Sequence, residues 1–290
     1  MNNEAFFDAP LPPAMAQKAE ELGLKKVQLP LSKMFMLAVL AGAFVALGAI
    51  FATTVSAGSL PAAAGSAPYG LVRLLMGLVF SLGLILVVAG GAELFTGNIL
   101  IVMAFMNGKV SFRQLMTNWL IVYAGNFAGA IATALIMFLT RQHTFGGGSV
   151  GLSLLYSAEA KTSLGFLQAV TLGMMCNALV CLAVWLVYSA RTTTDKVLAI
   201  IPPVAAFVAA GFEHSIANMY FIPIALFVKA WGGADFFAAI GHTPADFPHL
   251  TWSGFFLNNL LPVTIGNIIG GAVMVGLVYW FIYLRKDADR

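Results

Sequence analysis

Charge is what this chain lacks. Of its 290 residues, only 9% are Asp, Glu, Lys or Arg, against about 25% in soluble domains. Hydrophobic residues make up 60%. No soluble core buries that much apolar surface, so the composition defines an integral membrane protein. The net charge of +3 is small and confined to ends and loops, and gives no sign of a nucleic-acid partner. Cysteine is nearly absent. Cys176 and Cys181 share one apolar stretch, suit packing better than a disulfide, and say little about redox compartment. Met1 to Leu31 is polar and has no apolar signal-peptide core. No His-Glu-x-x-His occurs, which argues against a metal-dependent enzyme, and no cofactor is expected.

What is present is six long apolar stretches. They run from about Lys33 to Ala57, Leu71 to Met106, Gln114 to Thr140, Thr162 to Ala190, Val197 to Lys229 and Trp252 to Leu284. A straight crossing takes about 20 residues, so the second is too long for one. Gly/Ser/Pro/Ala-rich loops such as Gly58 to Gly70 and Phe145 to Ser153 separate the stretches. Ahead of them, Pro12 to Lys26 mixes Ala14, Met15, Ala19, Leu22 and Leu24 with Gln17, Lys18, Glu20 and Glu21. This is an amphipathic helix that lies on the membrane or a neighbouring subunit, or an ordinary solvated helix. The expected organisation is an N-terminal segment over residues 1–31, a channel domain over 32–284 and a tail over 285–290. With the N-terminus inside, Lys18, Lys25, Lys26, Lys33, Lys109, Arg113, Arg191, Lys196, Arg285, Lys286 and Arg290 are cytoplasmic. Only Arg73, Arg141, Lys161 and Lys229 lie outside. That asymmetry puts both termini in the cytoplasm.

Two polar interruptions stand out in the apolar runs. Gly91-Ala92-Glu93 with Asn98 parallels Gly211-Phe212-Glu213 with Asn218. In the following stretch, Asn118, Gly125, Asn126 and Gly129 recur with identical spacing as Asn259, Gly266, Asn267 and Gly270. The chain therefore reads as two copies of three spans. Three spans per copy force the second copy to enter from the other side, giving an inverted repeat with discontinuous helices and a site near the midplane. The Gly-x-x-x-Gly pairs suit close helix contact. Asn126 and Asn267 are structural hydrogen-bonders or pore-lining groups.

A broken helix in a membrane frees backbone groups that only protein or water can meet. The restarting half-helix offers N–H groups and a positive dipole end to an anion. Thr96 and Ser215 add hydroxyls there, while Leu94, Phe95, Phe207 and Leu84 are candidates for a constriction that excludes hydrated ions. His214 titrates near neutral pH, with an ordinary pKa of about 6.5. Glu93 and Glu213 are twins in the repeat and read as braces of the break, with Asn98, Asn218 and Asn267 beside them. His214 has no twin, because its counterpart is Leu94, and it is the residue expected to act chemically. An aquaporin-type neutral channel would carry Asn-Pro-Ala at the breaks, where this chain has Gly-Asn-Ile and Ile-Ala-Asn-Met.

These residues resemble the formate–nitrite transporter family. The resemblance rests on Glu93-Leu94-Phe95-Thr96-Gly97-Asn98, Lys161, Asn177, Phe207, Glu213-His214-Ser215-Ile216-Ala217-Asn218 and Asn267. Leu11-Pro12-Pro13-Ala14-Met15-Ala16, with Ala19-Glu20 and Gly23, is similar to the formate channel branch. The resemblance implies an aquaporin-like all-α fold of six spans, the second and fifth broken. It implies a homopentamer in the cell inner membrane, in contact with lipid, with one pore per subunit. It implies formate as substrate, with acetate, nitrite or hydrosulfide in relatives, and a pH-dependent behaviour in which the N-terminal helix is a candidate gate. It also makes Lys161 a vestibule cation, and Thr96 and Asn177 pore hydrogen-bonders near His214. The expected activity is bidirectional formate transport with protonation at the pore histidine. The alternatives are a nitrite or hydrosulfide channel and a passive anion channel.

Overall fold

A computed structural model describes residues 9–59 and 67–285. The tail residues 286–290, most of the loop 58–70 and residues 1–8 lie outside the described residues, and so do Lys286 and Arg290 of the charge asymmetry. The described chain is helical throughout. In order, the helices are α1 Pro12–Val27, α2 Leu31–Ser56, α3 Tyr69–Gly90, α4 Phe95–Met106, α5 Phe112–Leu139 and α6 Ser149–Thr162. They continue as α7 Phe166–Ser189, α8 Thr193–Ala209, α9 Ser215–Trp231, α10 Ala234–Ile240 and α11 Gly254–Tyr283. Five of them, α2, α3, α5, α7 and α11, are long and apolar enough to cross a membrane. The bent pair α9 and α10, turned by 109°, makes a sixth if taken as one span. Their outward faces carry exposed Leu, Phe and Ile side chains, such as Leu40, Phe51, Leu78, Leu120 and Ile136, as expected where lipid or another apolar surface is the solvent.

The helix ends follow local rules. Ser111 caps α5 through a reciprocal pair with Gln114, and Thr192 caps α8 in the same way with Asp195. α3 ends on Gly91 at φ 74°, and the turn after α8 holds Gly211 at φ 78°, a left-handed conformation that glycine adopts without strain.

The apolar stretches correspond to helices within a few residues, with one correction. Phe145 to Ser153 is not all loop. Gly146, Gly147 and Gly148 turn the chain at positive φ, and α6 then begins at Ser149. Its small residues disguise a helix, but Val150, Leu154, Leu155 and Ala158 are buried on one face at helical spacing. The stretch expected from Thr162 accordingly starts at Phe166 as α7.

Packing repeats within the chain. α2 packs along α5 and α7 along α11, while α3 and α8 meet in the middle. α4 leans on the C-terminal half of α11, and α9 leans on α5, so each restarted half-helix packs on the opposite half of the chain. The close approaches depend on glycine. A Cβ on Gly129 would sit 1.9 Å from the Val39 carbonyl oxygen, and one on Gly266 would sit 2.1 Å from that of Val170. Gly266→Ala must push α11 off α7, and overpacking of this kind costs about 1–3 kcal/mol. Gly165, whose Cβ would meet nothing within 4 Å, serves as the control. Thermal denaturation in detergent is expected to show a lower midpoint for Gly266→Ala and none of that loss for Gly165→Ala. Equal midpoints would mean that the helices tolerate a wider separation.

Candidate functional site

Both interruptions are built to one plan. After α3, the Ala92 N–H returns to the Val87 carbonyl at 2.9 Å, and after α8 the Phe212 N–H returns to Phe207 at 3.0 Å. Each chain then runs extended through one residue, Leu94 at φ −107°, ψ 124° and His214 at φ −111°, ψ 113°. Helix resumes at Phe95 and Ser215. The free backbone groups are taken up by an asparagine from a neighbouring helix. Asn126 Oδ1 accepts from the Phe95 N–H at 2.9 Å, and its Nδ2 donates to the Glu93 and Ala38 carbonyls. Asn267 Oδ1 accepts from the Ser215 N–H at 2.9 Å, and its Nδ2 donates to the Glu213 and Gly173 carbonyls. Both asparagines are therefore structural.

The carboxylates are braces, each with a cation. Glu213 accepts from Lys161 Nζ at 2.7 Å and from Asn218 Nδ2 at 2.7 Å. Glu93 accepts from Lys26 Nζ at 2.7 Å and from Asn98 Nδ2 at 2.6 Å. Asn118 and Asn259 complete the two networks by accepting from Asn98 and Asn218. Lys26 is a functional candidate that sequence reasoning missed. A signal was present: Lys26 lies five residues before the start of α2, and Lys161 five before the start of α7. α1 and α6 thus each bring a lysine to the glutamate of one break.

The repeat is broken at its centre. His214 Nδ1 accepts from the Ala217 N–H at 3.1 Å and caps α9. Leu94, its twin, has no polar atom and caps nothing. With Nδ1 occupied as an acceptor, the neutral ring carries its hydrogen on Nε2. Nε2 lies 3.0 Å from Thr96 Oγ1, so the ring donates to the threonine. Asn177 Nδ2 donates to the Thr96 and Asn267 carbonyls. Asn177 therefore holds Thr96 in place, and its own Oδ1 is buried without a protein partner. The Ser215 hydroxyl is likewise buried and unpaired.

Two cavities approach the breaks, and the second reaches His214. The first, about 560 Å³, is lined by Lys26, Glu93, Leu84 and Leu94, with Lys18, Lys25 and Lys196 at its edge. The second, about 540 Å³, is lined by Lys161, Glu213, His214, Phe207 and Phe80. They lie at opposite ends of α3, α7 and α8. Leu84 and Leu94 face one cavity and Phe207 the other, with the Phe207 ring packed beside His214 at 6.0 Å between centroids. Phe95 lines neither. It packs edge-on against Tyr123 and Trp119, away from the constriction in which it was expected.

Apolar helices around two facing helix restarts, with polar side chains meeting where two cavities approach, are the framework of a membrane transport protein. A sequence profile described as formate/nitrite transporter matches residues 13–281. The formate channel FocA of Escherichia coli (strain K12) is 46% identical over 281 residues, covering 97% of each chain. A solved structure described as a pentameric formate channel with formate bound superposes with a TM-score of 0.82 at 47% identity, covering 88% of this chain and 98% of that one. A second, an FNT family ion channel, gives 0.75 at 31% identity over 92% and 98%. This chain belongs to the formate/nitrite transporter family, a family of channels and transporters and not of enzymes. With its several apolar helices it is a multi-pass membrane protein.

The braces make a quantitative expectation. Glu93 is 5% exposed, and removing its cation strands a buried charge. Lys26→Met is expected to lower stability by about 1–3 kcal/mol, less than a fully buried pair would lose, and adding Glu93→Gln is expected to recover most of it. Thermal denaturation of the single and double variants checks this, and a Lys26→Met protein as stable as its parent would mean that α1 is not tied to the break.

Proposed function

We propose that this protein moves formate and similar small monovalent anions across the membrane in both directions. The observation that carries the reading is the Thr96–His214 hydrogen bond at 3.0 Å, set where two cationic cavities meet an apolar wall. The names of the relatives support formate as the substrate. Nitrite and hydrosulfide are the alternatives within the family. On this reading the fold is aquaporin-like, with six spans in an inverted three-plus-three repeat and the second and fifth spans broken at residues 91–94 and 210–214. The protein sits in the cell inner membrane with both termini cytoplasmic. It works as a homopentamer, which the solved relative's description as pentameric supports, with one pore per subunit.

The mechanism follows from charge and desolvation. Cations in each cavity concentrate the anion. At the wall, the apolar side chains of Leu84, Leu94 and Phe207 offer no partners to replace a hydration shell, and a bare carboxylate meets a Born penalty of tens of kcal/mol in dry surroundings. Thr96 and the Nε2–H of His214 replace part of that shell. Asn177 keeps Thr96 aligned. A proton on the anion removes most of the remaining penalty, so transport is favoured at acidic pH. Because Nδ1 is engaged by Ala217, His214 serves first as a hydrogen-bond donor. Protonation of the ring requires the cap on α9 to open. That arrangement favours water as the immediate proton source, or passage of the anion without protonation, over a standing imidazolium.

Uptake of labelled formate into proteoliposomes, with nitrite and hydrosulfide as competitors, tests the reading. Wild-type protein is expected to take up formate down its gradient and faster at acidic pH. Thr96→Val is expected to slow uptake about 10-fold, the loss of one donor or acceptor at a desolvated site. His214→Asn, which keeps a donor but cannot carry the proton, separates the two roles. Proton-coupled uptake that survives it excludes the histidine as the relay, and no uptake of any small anion by the wild type rejects the function.

A further inference from the structure

We infer that Arg73 is an anion-recruiting residue of the second cavity, presenting its guanidinium to a small carboxylate on the way to His214. The inference deepens the transport reading and rests on it for the identity of the anion. Charge is the first ground. Lys161 lines the same cavity, but its ammonium is bound to Glu213 at 2.7 Å, and the two charges cancel at a distance. Among the described residues that line the cavity, Glu213 is the sole carboxylate. Arg73 therefore supplies the net positive charge of this mouth.

Bonding is the second ground. Arg73 Nε donates to the Ala209 carbonyl at 3.3 Å, and Nη2 donates to the Val208 carbonyl. These are the last carbonyls of α8. They orient the guanidinium without neutralising it. A guanidinium has five N–H donors in a planar fork that matches a carboxylate, so three donors are left over. Position is the third ground. A Cβ on Gly211 would lie 3.3 Å from Nη2, so the guanidinium rests on the turn that carries Glu213 and His214. The side chain is only partly buried, and faces a cavity open to solvent. By the repeat its counterpart is Thr193, so this cation belongs to one mouth alone. The other mouth has Lys18, Lys25 and Lys196.

A purely structural role, that of fastening the end of α8, predicts different behaviour. Arg73→Gln keeps a donor for the carbonyls and loses the charge, whereas Arg73→Lys keeps the charge and loses the fork. In proteoliposomes at low ionic strength, Arg73→Gln is expected to raise the half-saturating formate concentration about 10-fold, the scale of electrostatic focusing, with little change in maximal rate. Its uptake is also expected to depend less on salt, and Arg73→Lys is expected to restore most of the loss. Line broadening of carbon-13 formate by the solubilised protein reads occupancy separately. It is expected to weaken in Arg73→Gln and to persist in Arg73→Lys. Broadening and half-saturation unchanged in Arg73→Gln would overturn the inference. So would a loss shared equally by both variants together with a lower melting temperature, because the role is then structural. Wild-type protein that broadens formate through Arg73 but transports none would reject the transport reading and leave the anion site standing.

Discussion

A helix interrupted in an apolar medium must find partners for the backbone groups it releases. Here one side chain per break does most of that. Asn126 and Asn267 each accept from the N–H that opens the restarted helix and donate to two carbonyls. Each asparagine stands in for a missing turn. It also ties the break to the helix that crosses beside it, since Ala38 belongs to α2 and Gly173 to α7. The rest of the geometry depends on this. Leu94 and His214 are extended because the chain must pass the asparagine before helix resumes. The glycines that let α5 approach α2, and α11 approach α7, bring the asparagines within reach.

The carboxylates complete the frame without spoiling an anion path. A bare glutamate at each break would repel any anion nearby. Joined to Lys26 or Lys161 at 2.7 Å, each becomes a dipole whose field falls off quickly. What an approaching anion feels is then set by the cations that have no carboxylate. At the first mouth these are Lys18, Lys25 and Lys196, and burial lowers the Lys18 pKa, with Lys196 and Arg191 adding repulsion. The braces shape, and the unmatched cations attract. Two glutamates so deep in an apolar protein are tolerable because every oxygen is bonded to an amide or an ammonium.

Much of this was legible in the sequence, for physical reasons that can be named. The breaks were readable because charge in an apolar run is costly and therefore purposeful. The Gly-x-Glu-x4-Asn repeat, with Asn126 and Asn267 at equal spacing after it, marked both asparagines, though not what they bond. α6 was hidden because glycine and serine suggest loop, while the burial that makes it a helix is tertiary. Lys26 was hidden because it lies on a polar helix outside the apolar runs, where nothing in the local sequence points to a glutamate 67 residues away. Phe95 looked like a constriction residue beside Leu94, but a helix turns by about 100° per residue, which carries its ring round to Tyr123 and Trp119. The tautomer of His214 depends on which atom caps α9, and no sequence pattern encodes it.

The asymmetry at the centre has a consequence for how an anion crosses, on the proposed reading. Were Leu94 a second histidine, the wall would carry two titratable rings, and an anion held between them would be slow to leave. With one ring and one leucine, the polar contact is single and the exit is apolar. Opening the Ala217 cap costs about 0.5–2 kcal/mol, the scale of an N-cap, and charging the buried ring adds its own desolvation cost. An empty site therefore keeps the cap and a neutral ring, since nothing offsets even that cost. An anion at the wall changes the balance, because a charged ring next to it relieves part of its desolvation. On that reading a bound anion is what would make protonation of His214 less costly, and the broken helix keeps the ring neutral while the site is empty.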